Sequence, residues 1–247
     1  MTLRHCFKVR RLILTAALIA GLSLAAHATA QERPFLVDLK SRTTTDLGTL
    51  GGNRTVASGI NDAGQVTGYS ITSEFDWHAF ITGPDGMGMR DLGTLGGGFS
   101  QAYGINNAGQ VVGQSDKSRG SPLSQPFITS PDGVGMRELG ALGGIYDRPT
   151  GINDAGQVVG SSYTDEDRTR HAFVTGPDGE GMIDLNSLVD MPAGLILYEA
   201  RAINNAGQVI ASAITPAVPE PEIPALFLAG LGLIGFMARR KKAKNLG

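Results

Sequence analysis

One distance recurs four times in this chain and limits what it can fold into. Phe35 to Asp46, Phe80 to Asp91, Phe127 to Glu138 and Phe173 to Asp184 are each 11 residues apart, and the four phenylalanines stand 45, 47 and 46 residues from one another. Three motifs repeat around this frame. GINDAGQV at 59–66 returns as GINNAGQV at 104–111, GINDAGQV at 151–158 and AINNAGQV at 202–209. DLGTLGG at 46–52 returns at 91–97, as ELGALGG at 138–144 and, decayed, as DLNSLVD at 184–190. HAFITGPDGMGMRDLG at 78–93 returns as QPFITSPDGVGMRELG at 125–140 and HAFVTGPDGEGMIDLN at 171–186. Tandem self-similarity at this period marks an architecture whose unit is too small to bury its own apolar face and must stack on its neighbours.

Each unit predicts four short strands. Ala-Phe-Ile-Thr is the first, ended by Gly83-Pro84-Asp85-Gly86, where Pro presets φ and Gly permits a positive φ. Met89 to Leu92 is the second, and a loop at Gly96, Gly97 and Gly98 leads to the third, Ala102 to Asn106. Asn107-Ala108-Gly109 then turns the chain into the fourth, Gln110 to Gly113, because Asn or Asp followed closely by Gly between apolar runs is a hairpin signal. No stretch has a sustained 3.6-residue period. Insertions fall between the fourth strand and the next Ala-Phe, at 115–125 and 161–170. The fold expected is all-β: four tandem four-stranded repeats of about 46 residues starting near 35, 80, 127 and 173, forming a small β-propeller. A closed ring shields edge strands that the alternative, an open β-meander or solenoid, would expose.

The two ends differ from this middle. Arg4, Lys8, Arg10 and Arg11 precede an apolar run from Leu12 to Ala26, and Ala28 and Ala30 hold the −3 and −1 positions of a cleavage site. Residues 1–30 therefore read as a signal-peptide helix, implying the Sec translocon and signal peptidase as partners. The only cysteine, Cys6, falls inside that segment, so the mature chain has no thiol for catalysis or metal ligation. Between Gln31 and Val218 there are 12 Lys and Arg against 21 Asp and Glu, a net of −9. Such acidity speaks against nucleic acid as a partner, since that affinity comes from basic side chains on phosphates.

Residues 31–217 are thus the repeat domain and 218–247 a tail. The tail opens with Pro219-Glu220-Pro221, continues as an apolar run at 223–238 and closes with a basic cluster at 239–244 that includes Arg239, Arg240, Lys241 and Lys242. The run predicts a transmembrane helix of about 24 Å, short against a bilayer core of about 30 Å, with the basic end held on the cytoplasmic side.

Val218-Pro219-Glu220-Pro221, an apolar helix and an Arg/Lys cluster in that order resemble the PEP-CTERM sorting signal of Gram-negative bacteria. The resemblance implies recognition by exosortase, a membrane-embedded cysteine transpeptidase, and cleavage near Pro219 to Pro221. It also implies a transient stay in the inner membrane and an association with exopolysaccharide and biofilm matrix. The repeats resemble the HAF family of extracellular repeats through His78-Ala79-Phe80 and His171-Ala172-Phe173, over residues 35 to about 213. Gln125-Pro126-Phe127 and Arg33-Pro34-Phe35 depart from the tripeptide, and the family has no activity to transfer.

Few residues suggest chemistry. His78 and His171 share a repeat position that Gln125 and Arg33 fill elsewhere, so ring hydrogen bonds to a neighbouring strand are expected rather than a metal site. Asp85 and Asp91, with their counterparts, sit six apart beside a proline, which suits a glycine-bulged hairpin better than a calcium loop. Asn61, Asn106, Asn153 and Asn204 read as turn formers, and Asp165, Glu166 and Asp167 as a solvated loop. Trp77, Phe99, Tyr146 and Tyr163 are the candidate sugar-stacking aromatics, expected in inter-strand loops. The reading is an exported, exosortase-processed, non-catalytic protein of the cell surface or extracellular matrix, with no cofactor and no metal. A carbohydrate-binding propeller is the alternative, and a glycan lyase or hydrolase propeller a third.

Overall fold

The structure, a computed structural model, describes residues 32–164 and 169–215. The expected secretion signal with Ala28 and Ala30, the loop at 165–167, and the tail with Pro219, Glu220, Pro221, the run 223–238 and Arg239 to Lys242 lie outside the described residues. No helix among the described residues is long and apolar enough to cross a membrane.

The described residues are all-β and form sixteen strands. β1 (Phe35–Asp38) and β2 (Thr43–Asp46) make a two-stranded sheet. β3 (Gly51–Ile60), β4 (Val66–Thr72), β5 (Trp77–Ile81) and β6 (Arg90–Asp91) make the first four-stranded sheet. β7 (Ser100–Ile105), β8 (Val111–Asp116), β9 (Ser124–Ser130) and β10 (Val134–Glu138) make the second. β11 (Gly143–Ile152), β12 (Val158–Thr164), β13 (Arg170–Thr175) and β14 (Met182–Asp184) make the third. β15 (Ile196–Ile203) and β16 (Val209–Ile214) form a final pair. Every ladder is antiparallel and joins consecutive strands.

The 11-residue distance is a hairpin pair: Phe35 faces Asp46, Phe80 faces Asp91, Phe127 faces Glu138 and Phe173 faces Asp184. The sheets, however, do not start at these phenylalanines. A tandem repeat fixes the period but leaves the phase open, and hydrogen bonding sets it. β4 pairs with β5 across the variable insertion, whereas the Asp-Leu-Gly-Thr-Leu-Gly-Gly stretch crosses from one sheet to the next. Three complete sheets and two half-sheets result, instead of four equal four-stranded units, and no ladder joins β16 to β1.

The apolar core lies between successive sheets. Leu47, Val66 and Phe80 with Leu36 fill the first interface, and Ile81, Val111 and Phe127 with Leu92 the second. Val112, Ile128, Leu139, Val158 and Phe173 fill the third, and Val159, Leu185 and Ala200 with Ile203 the fourth. Each buried phenylalanine contributes roughly 2–3 kcal/mol of transfer free energy.

Two polar devices repeat at the joints. The Asn61 side-chain amide donates to Asn106 O at 3.0 Å, Asn106 to Asn153 O at 3.0 Å and Asn153 to Asn204 O at 3.2 Å. The Pro-Asp-Gly turns at 84–86, 131–133 and 177–179 wedge against the preceding sheet. Gly133 has φ +64°, and a Cβ there would stand 3.0 Å from Leu92 and 3.1 Å from Ile81, so a side chain would be strained and would crowd the preceding sheet. Arg90 of β6 reaches across to the next turn, its guanidinium donating to Gly133 O at 3.3 Å and to Asp132 O.

Candidate functional site

The symmetry of the repeats breaks in the third sheet. Thr55 and Ser100 hold equivalent positions in β3 and β7, opposite Ser70 and Ser115, and the residue opposite Ser162 in β11 is Asp147. The hydroxyls are well served where they occur. Thr55 Oγ1 lies 2.9 Å from Ser70 Oγ, and Ser100 Oγ donates to Gly93 O at 2.6 Å while accepting from Ala79 N–H at 2.8 Å. The residue of the second sheet equivalent to Ala79 is Pro126, which has no N–H to offer.

Asp147 is 1% exposed, and its Oδ1 has no hydrogen-bond partner. Burial pushes its carboxyl up to about 6, opposed by the Ser162 hydroxyl and reinforced by the Glu138 charge. A buried, unsatisfied carboxylate costs stability, so this position is held against the folding preference of its own repeat.

Asp147 borders a cleft of about 390 Å³ lined also by Gln114, Tyr146, Arg148, Ser161, Tyr163 and Arg170. Tyr146 and Tyr163, from β11 and β12, meet edge to face with centroids 5.9 Å apart. Tyr146 is 57% exposed. Arg170 is fixed by Ser161 Oγ at 2.9 Å and Glu199 Oε1 at 2.8 Å. Arg148 lies over the Tyr103 ring at 5.2 Å. Gln114 accepts from the Tyr103 hydroxyl at 2.6 Å and donates to Asp147 O at 2.7 Å. The cleft therefore offers aromatic faces, guanidinium donors and an amide in one place, the set that a hydroxyl-rich or anionic ligand engages.

The four sequence-predicted aromatics fall into two pairs, and they stand in or beside strands rather than in loops. Trp77 opens β5, Phe99 immediately precedes β7, and Tyr146 and Tyr163 lie within β11 and β12. Trp77 of β5 bridges to Phe99 and packs on Tyr69 at 5.3 Å, with Arg54 over its ring at 5.7 Å. That pair helps join the first two sheets, and only the tyrosine pair lines the cleft. Arg148, Arg170 and Asp147 had no sequence motif to mark them. The one available signal was the loss of the small hydroxyl at 147 together with the proline at 126.

His78 Nδ1 pairs with Asp91 at 2.8 Å and His171 Nδ1 with Asp184 at 2.6 Å, each on the neighbouring strand. Asp85, Asp132 and Asp178 hold turn positions with φ of 65°, 58° and 54°. Among the described residues no group of three or more His, Cys, Asp or Glu is arranged to hold a metal ion.

Beyond the last strand, residues 217–241 match the PEP-CTERM protein-sorting motif. The chain carries a PEP-CTERM tail. Such a tail marks an exported protein that passes through the membrane to the cell surface, with exosortase as its processing partner. No curated protein sequence matches the chain significantly.

Among solved structures, one assigned as TolB from Agrobacterium tumefaciens is similar, with a TM-score of 0.51 and 13% identity, over 78% of this chain and 69% of that one. TolB from Acinetobacter baumannii gives a TM-score of 0.46 and 13% identity, over 77% of this chain and 47% of that one. The likeness to the Agrobacterium structure is one of fold, a propeller-like stack of antiparallel sheets.

Proposed function

We propose that this PEP-CTERM protein is a non-catalytic component of the cell surface or extracellular matrix of a Gram-negative exopolysaccharide producer. On this reading Sec exports the chain, signal peptidase removes residues 1–30, the run 223–238 pauses it in the inner membrane, and exosortase releases residues 31 to about 219. The four HAF-type repeats then act outside the cell by binding or scaffolding. The PEP-CTERM match at 217–241, directly after the repeat array, is the observation that supports it most. The net charge of −9 between Gln31 and Val218 agrees with a soluble exported domain. The test is a deletion of the gene in its host, complemented by the parent chain and by a chain lacking Pro219, Glu220 and Pro221. Loss of matrix cohesion that only the parent restores supports the reading. Full cohesion in the deletion strain refutes it.

A second reading, that the domain binds carbohydrate, is favoured by the tyrosine pair in the Asp147 cleft. Glycan arrays would show binding that Tyr163→Ala abolishes and Trp77→Ala leaves intact. Equal binding by Tyr163→Ala removes the cleft from consideration.

A further inference from the structure

The two half-sheets are complementary parts of one sheet. β15 and β16 align with the first two strands of each complete sheet, and β1 and β2 with the last two. We propose that copies of this chain join head to tail, β16 of one copy pairing with β1 of the next to complete a four-stranded sheet. This goes beyond the export reading and does not depend on it.

The register follows from the complete sheets. Gly68 faces Phe80, Gly113 faces Phe127 and Gly160 faces Phe173, which sets Ala211 against Phe35. Ser70 faces His78, Ser115 faces Gln125 and Ser162 faces His171, which sets Ala213 against Arg33. Ala211 bears a methyl where the complete sheets have glycine, so the Phe35 ring seats slightly further out than its counterparts.

Burial singles out the same surfaces. Phe80, Phe127 and Phe173 are fully buried, but Phe35 is 55% exposed. Thr67, Val112 and Val159 are fully buried, but their counterpart Ile210 is 67% exposed. Val112 shares its cluster with Ile152, and Val159 shares its cluster with Ile203. The equivalent contact for Ile210 is Ile60 of the next copy, and Ile60 is 55% exposed. Ile210 and Ile60, the two members of that missing contact, are thus both bare and stand at opposite ends of the chain.

The turn ladder gives an independent match. Asp62 N–H donates to Asn107 Oδ1, Asn107 N–H to Asp154 Oδ1 and Asp154 N–H to Asn205 Oδ1, each at 2.9 Å. Acid and amide alternate along it, and the Asn107 amide bonds both flanking acids, Asp62 at 2.9 Å and Asp154 at 3.1 Å. Asn205 bonds only Asp154, at 2.7 Å, and among the described residues no bond joins it to Asp62. Its next partner in the series is an acid, and Asp62 of a second copy is an acid in the matching place. The occupant is a second copy because, among the described residues, the four interfaces within one chain still leave the outer edges of β16 and β1 without a strand partner. An unpaired edge with a same-sequence complement is a route to β-strand addition, and a heterologous contact of this kind builds a ring or a filament.

The test uses the full-length chain with Cys6→Ser, so that introduced thiols stand alone. Arg33→Cys and Ala213→Cys variants, mixed under mild oxidation, are expected to give a disulfide-linked pair that neither gives alone. A chain bearing both substitutions should cross-link into dimers and larger species that disappear on dilution. An internal cross-link at all dilutions would show the chain closing on itself and overturn the proposal, as would no cross-link at all. Because Arg33 also pairs with Asp46, a second variant guards against misfolding. Ile210→Lys should weaken association of the cysteine-free chain by about tenfold or more in sedimentation, with unchanged melting of the dilute protein. Undiminished association in that variant would also overturn the proposal.

Discussion

The Asn106 side-chain amide donates to the carbonyl oxygen of Asn153 at 3.0 Å, 47 residues further along the chain. The same amide bonds Gln110 Oε1 at 2.7 Å, and Asn106 Oδ1 accepts from the N–H groups of Ala108 and Gln110 at 3.1 and 2.9 Å. One buried side chain thus closes its own turn and ties two sheets together. Asn106→Ala strands these groups and should destabilise the domain by about 2 kcal/mol, a fall in Tm of roughly 4–8 °C. Asn204→Ala, at the exposed end of the series, should cost less than about 1 kcal/mol in dilute protein. Thermal unfolding followed by circular dichroism compares the two.

Gly133 and Gly135 separate backbone strain from packing. Both have a positive φ, +64° and +62°, but a Cβ at Gly135 meets nothing within 4 Å while one at Gly133 meets Leu92 at 3.0 Å. Gly135→Ala should cost about 1 kcal/mol, from the left-handed backbone alone. Gly133→Ala should cost about 1–3 kcal/mol more, from overpacking against the preceding sheet. Urea denaturation should rank them in that order, and equal midpoints would show that the turn is not wedged.

Burial of Asp147 sets the sign of a pH dependence expected for the domain. Its carboxyl is raised from 3.8 to about 6 by burial, so between those values the unfolded chain has released a proton that the folded chain retains. This group therefore lowers stability as pH rises from about 4 to 6 and adds no further change above that. Asp147→Ser, which restores the residue found at Ser100, should remove that slope and gain up to about 3 kcal/mol at pH 7. Pro126→Ala supplies the missing N–H donor and should bring the carboxyl back down toward the ordinary range. An NMR titration of the Asp147 carboxyl reads both effects.

The sequence showed the period, the strand content and the hairpin pairs, because these depend on local spacing. The 11 residues from Phe80 to Asp91 turned out to be a cross-strand pair for that reason. Sheet phase was hidden, since Gly51 to Ile60 reads equally well as the third strand of one repeat or the first of a sheet. Trp77, Phe99, Tyr146 and Tyr163 were visible as aromatics, but which of them share a cleft depends on contacts between strands far apart in sequence. Asp147 was hidden for a related reason. It looks like one more acidic residue in a variable stretch, until the register sets it opposite Ser162 and beside a proline that has no hydrogen to give.

Export and trimming are the centre of this account, and intact-mass measurement of the protein recovered from the medium of its native host tests them most directly. The account predicts a single species that begins after Ala30 and ends near Pro219 to Pro221, and that is absent when exosortase is deleted. A secreted species still bearing Met1 or the basic residues from Arg239 to Lys244 would contradict it.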